Sequence, residues 1–154
     1  MNKEKIVPSE SKMFEDFSVL SAEELADLIV TYGITASTGV RLASPSETVK
    51  RPEEGWVAIF ESQLKSGLRF PLFKLLIDII NFYEVSISQI FPLGLTRIVA
   101  FELACREAKV ASSVTLFRCF YHLKKNLEGY YFCTRTKGRE FACRFRVTDP
   151  RWLK

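Results

Sequence analysis

Between Leu72 and Tyr83 the chain is apolar at every position except Lys74, Asp78 and Asn81. Those three recur at i, i+4 and i+7, which is one stripe of an α-helix. A helix with a single polar stripe needs neighbours on most of its sides, so this segment predicts a central helix around which others pack. Its approach is punctuated. Trp56, Val57, Phe60 and Leu64 share a face by helical spacing and predict a helix from Trp56 to Ser66, with Gly67 as its stop. Pro71 suits the first turn of the next helix, where its missing N–H would be unpaired anyway.

The rest of the chain is read around that core. Residues 1–20, with Phe14, Phe17 and Leu20 as scattered apolar points, predict a flexible lead-in; residues 21–154 predict a single helical domain. Ser21-Ala22-Glu23-Glu24 has the form of a capping box. A helix is expected from there to Tyr32, burying Leu25, Leu28 and Ile29 and ending at Gly33. Ile34 to Gly55, with Pro45 and Pro52, reads as loop. Ser86-Ile87-Ser88-Gln89 caps a short turn ending at Phe91-Pro92, and a helix is expected from Gly94 to Lys109. Another starts at Ser112 or Ser113, with Leu116, Phe117, Phe120 and Leu123 inward and Arg118, His122 and Lys125 as its polar stripe.

The period then shortens to two. Tyr130 to Thr136 and Arg139 to Val147 flank Lys137-Gly138, the pattern of a β-hairpin spanning 130–147. Its expected register turns Tyr130, Phe132 and Thr134 toward the core and leaves Tyr131, Arg144 and Arg146 outside. The fold class is therefore mainly α (α+β), about five helices around a central apolar helix with a C-terminal β-hairpin. The end at Trp152-Leu153-Lys154 reads as a cut from a longer protein.

The charge is uneven. The net +4 comes entirely from residues 128–154, where seven cations face three acids; residues 1–127 carry 15 of each sign. A basic end on a neutral body suits an anionic partner, and Tyr131, Arg135, Lys137, Arg139, Arg144, Arg146 and Arg151 are the candidate nucleic-acid-binding residues. Such a patch would bind without sequence preference and with strong salt dependence. No stretch is long and apolar enough to predict a membrane span, and the N-terminus lacks the apolar region of a signal peptide. An intracellular setting is expected, nucleus or cytoplasm, with reduced cysteines.

Chemistry is harder to find. Cys105, Cys119, Cys133 and Cys143 form no C-x-x-C pair, and Cys119-x-x-His122 alone does not preset a metal tetrahedron. Thiol catalysis needs a Cys–His pair with an orienting residue; Cys119 and His122, at i, i+3, could touch, but both would lie on a packed helix, which favours structural roles. The seven glycines are dispersed and form no phosphate cradle. Glu61, Asp78, Glu84, Glu102 and Glu107 fall mostly on polar helix stripes, Asp78 pairing with Lys74, with no preceding strand to gather them for two-metal chemistry. The expectation is a non-catalytic chain with neither metal nor cofactor.

From Pro52 to Lys125 the chain resembles the plant domain family named "putative gypsy-type transposon", also called transposase-like. The resemblance rests on Gly55-Trp56-Val57 with Phe60, then Leu64-x-x-Gly67-Leu68-x-Phe70-Pro71-Leu72. It continues through Leu76, Tyr83-x-Val85, Gln89-Ile90-x-Pro92, Phe101, Cys105, Phe117 and Phe120. Leu93 departs from the family's usual Asn after Pro92. The resemblance implies an origin in a plant element related to long-terminal-repeat retroelements and a Gag-like region. The chain has no aspartic-protease Asp-Thr/Ser-Gly and no polymerase Tyr-x-Asp-Asp, so membership is carried over without a catalytic role. The expected function is an assembly or protein-interaction module, with self-association or a protein partner; the alternative is nucleic-acid binding through the basic hairpin.

Overall fold

Ser21 opens the first helix through both arms of its capping box. Its Oγ accepts from the Glu24 amide at 3.2 Å, and its own amide donates to the Glu24 carboxylate at 2.8 Å. In a computed structural model that describes residues 20–49, 51–126 and 129–135, that helix is α1, Ala22–Tyr32. It is followed by α2 (Glu61–Lys65), α3 (Lys74–Tyr83), α4 (Pro92–Glu107), α5 (Val114–Phe120), β1 (Tyr121–Lys125) and β2 (Tyr130–Thr134). Short 3-10 turns occupy Ala36–Thr38 and Ile87–Gln89. Gly33 ends α1 at φ 61°, a left-handed conformation suited to glycine. The face expected of α1 is the one turned inward, but Leu25, Leu28 and Ile29 are only half-buried.

The helix expected from Trp56 to Ser66 is cut to its second half. Phe60 is extended, and α2 starts at Glu61. Two interactions hold the preceding residues out of a helix. Trp56 lies under the Arg41 guanidinium, 4.3 Å from its ring centre, so it anchors a loop instead of a helix face. The Gln63 side-chain Oε1 accepts from the Phe60 amide at 3.0 Å, closing the entry to α2. Pro71 likewise does not start a helix. It follows a cis peptide bond, and α3 begins three residues later with Phe73 as its cap.

The most deeply covered helix is α4 rather than α3. Pro92 occupies its first turn, and Leu95, Ile98, Val99, Phe101, Ala104 and Cys105 are all buried. It touches α2, α3 and β2, whereas α3 buries only Leu75, Leu76 and Ile79. Gly94 lets α4 approach the hairpin closely: a Cβ there would sit 3.0 Å from Ile90 and 3.6 Å from the Tyr131 backbone. The Lys74–Asp78 pair expected on the polar stripe of α3 forms at 2.6 Å.

At Phe120 the expected long helix gives way to a strand. Tyr121 is extended, and β1 pairs antiparallel with β2, setting Tyr121 against Thr134, Leu123 against Phe132 and Lys125 against Tyr130. Helical spacing and strand alternation both bury Leu123, which is why the sequence reads either way. Strand pairing additionally turns Tyr121 inward. The C-terminal hairpin is thus present one strand earlier than its expected turn; Lys137-Gly138 and the strand over 139–147 lie outside the described residues. As expected of β2, Phe132 faces the core and Tyr130 packs against it.

The core is aromatic. Phe101, Phe117, Tyr121 and Phe132 are among its largest fully buried side chains. Phe117 stacks on Tyr121 at 4.8 Å and meets Phe132 and Phe101 edge-on at 5.0 and 5.2 Å. Such pairs each add about 0.5–1.5 kcal/mol beyond area burial. The hairpin is also fastened at its other edge: the Phe91 amide donates to the Tyr130 carbonyl at 2.9 Å, and the Arg97 guanidinium donates to the Phe132 carbonyl.

Candidate nucleic-acid face and apolar cleft

Of the seven basic-end residues, Tyr131 and Arg135 are described; Lys137, Arg139, Arg144, Arg146 and Arg151 lie outside the described residues. Tyr131 sits on the outer face of β2, opposite Lys124, with the His122–Cys133 pair beside it. It is half-buried rather than open. Arg135 is exposed just beyond β2. Its amide donates to the Phe120 carbonyl at 2.8 Å, and its Nε donates to the Arg118 carbonyl, so it closes the C-terminal end of α5. Tyr131 and Arg135 are therefore held by the hairpin, but the aromatic carries little open face.

Two exposed side chains on α5 and α3 join this region. Arg118 lies over the ring of Phe82, 4.6 Å from its centre. Phe82 is 50% exposed although it belongs to the nearly continuous apolar run of α3. The only hint in the sequence was position: Phe82 stands one turn after Asp78, on the polar stripe side.

The second feature is a cleft of about 670 Å³ between α1, the loop 38–60 and the turn at 88–92. Leu25, Leu28, Ile59, Phe70, Ile90 and Phe91 form much of its wall, and Trp56 and Val57 stand at 40% and 51% exposure along it. The loop wall is shaped by Glu47. Its carboxylate accepts from Arg41 at 2.7 and 2.8 Å, from the Ser44 amide at 2.6 Å and from the Glu53 amide at 2.8 Å. Arg41 also reaches Glu53 at 2.8 Å. The Arg41 hydrogen bond first, then the two amides, hold the Glu47 carboxyl well below the usual carboxylate range. The far wall is tied by Gln63, fully buried, whose Nε2 donates to the Ile87 and Ile90 carbonyls at 2.8 and 3.0 Å. Neither hub was identified from the sequence.

The reactive groups are dispersed. Among the described residues no three His, Cys, Asp or Glu side chains come together as metal ligands would. Glu61 pairs with Lys65 at 2.6 Å and Glu102 with Arg106 at 2.8 Å. Cys105 is buried; its burial, and secondarily Glu102, push its thiol pKa up. Cys119 is exposed and Cys133 half-buried, and both are free thiols. No helix among the described residues is long and apolar enough to cross a membrane.

Residues 57–125 match the family described as "Putative gypsy type transposon". That span holds α2 to β1, including the α4 core and the Arg118–Phe82 contact. The chain is also similar to an uncharacterized protein of Arabidopsis thaliana whose name carries the word chloroplastic, with 23% identity over 136 residues. The similarity covers 86% of this chain and 17% of that relative, so the chain spans about a sixth of the relative's length. No solved structure matches.

Proposed function

Starting from a domain related to gypsy-type transposons over residues 57–125, we propose that the chain is a non-catalytic assembly module that associates with a second copy of itself. The observation that carries this reading is the apolar cleft with an exposed apolar side chain beside it. Leu93, 55% exposed, follows Pro92, which lines the cleft. A groove and a knob side by side on one surface are what a two-fold contact requires, each copy's knob entering the other's groove. Trp56 and Val57 extend the same apolar surface, and contiguous exposed apolar side chains mark interaction sites more often than isolated ones do. Light scattering across a concentration series tests the reading: reversible dimerisation is expected, and Leu93→Glu should abolish it while leaving the monomer folded. A strict monomer at high concentration contradicts it.

A further inference from the structure

Arg118 and Arg135 stand apart from the paired cations of this fold. Arg41, Lys65, Lys74 and Arg106 each hold a carboxylate within 2.8 Å. Arg118 and Arg135 have no carboxylate partner among the described residues, and both are exposed. They are also adjacent: the Arg135 Nε donates to the Arg118 carbonyl, leaving its terminal NH2 groups for another acceptor. Beneath Arg118 lies the exposed ring of Phe82, which itself meets Tyr83 edge-on at 5.0 Å.

We propose that Phe82, Arg118 and Arg135 form a binding site for single-stranded nucleic acid, separate from the cleft and independent of the assembly reading. One face of the Arg118 guanidinium rests on Phe82, so its other face is offered to an unpaired base. Guanidinium planes and aromatic rings are the two surfaces on which splayed bases stack. The terminal nitrogens of Arg135 then meet an adjoining phosphate in the forked geometry that suits its oxygens. The edge of Phe82 left uncovered takes part of the same base or its neighbour. A duplex, whose bases are already stacked inside, offers only phosphates to this arrangement. The site therefore discriminates by strandedness and not by sequence.

The site differs from the basic end at 135–151 in resting on α3 and α5, with Arg135 as the one shared residue. Fluorescence anisotropy of the full chain with a labelled oligothymidylate of about a dozen nucleotides tests it. Binding at low salt is expected, with log affinity falling by about 0.7 per contacted phosphate for each unit of log salt. Arg118→Glu with Arg135→Glu should weaken it by roughly tenfold or more, and Arg118→Lys, which keeps the charge but loses the plane, by several-fold. Because Arg135 also closes α5, Phe82→Ala serves as the variant that leaves that cap in place; it too should weaken binding. Absence of binding by the unaltered chain overturns the proposal. So does full affinity in the folded variants, equal affinity for a duplex of the same length, or loss of binding only in Arg144→Glu with Arg146→Glu.

Discussion

Gln63 shows how one polar side chain can organise a core. Its amide bonds to three backbone groups, at Phe60, Ile87 and Ile90, tying the start of α2 to the turn before α4. Gln63→Leu fills similar space but takes the side-chain donor from the Ile90 carbonyl and the acceptor from the Phe60 amide, while the Ile87 carbonyl keeps only the Ile90 amide. A loss of roughly 2–4 kcal/mol is expected, read as a lowered midpoint in denaturant unfolding. Nothing in the sequence marks Gln63, because a Gln between Ser62 and Leu64 reads equally well as a solvated helix position. The cysteines give a second test at this scale. Burial raises the Cys105 thiol pKa, while Cys119 is exposed on α5. Brief alkylation of the folded chain at mildly alkaline pH, mapped by mass spectrometry, should modify Cys119 well before Cys105. Equal labelling would contradict the burial of Cys105.

At the scale of elements, the loop 38–60 is held by charge where helices would use apolar contacts. Glu47 gathers Arg41, Ser44 and Glu53, and Arg41 in turn covers Trp56. The Glu47 carboxyl is depressed in the folded chain, so the unfolded chain takes up its proton first. The network therefore contributes its full stability above the ordinary carboxylate value of 4.5, and loses it as the pH falls from there through the folded value. Trp56 emission reports this, provided Trp152→Phe removes the other tryptophan. A red shift is expected on acidification below about pH 4.5, and Glu47→Ala should show it already at neutral pH. Emission unchanged by either would contradict the account. The loop also shows where legibility stopped. Caps and stops at Ser21, Gly33 and Ser86 were readable because they are local chemistry. The non-helical course of Trp56 to Phe60 was not, because it depends on Arg41 and Gln63, partners set by tertiary contact. At Tyr121, helix and strand periods both bury Leu123, and only the pairing with β2 decides between them.

At the scale of the molecule, the described residues form five α-helices and a hairpin around an aromatic core, and apolar side chains remain outside it at Trp56, Val57, Phe82 and Leu93. The apolar run of α3 correctly announced a helical core, although α4 lies deeper, because Gly94 brings α4 against the hairpin while α3 keeps a solvent side. The cleft itself was not legible: its walls come from α1, a loop and a turn that meet only in the fold. Of the basic end, Tyr131 lies on the hairpin and Arg135 just beyond it, and the surface cations gain Arg118, which lies on α5 over Phe82. The proposed assembly rests on a two-fold contact between the cleft and Leu93. Sedimentation equilibrium of the full chain beside Leu93→Glu tests it most directly. A concentration-dependent dimer is expected for the unaltered chain and a folded monomer for the variant. A monomer in both, or a dimer that survives Leu93→Glu, would contradict it.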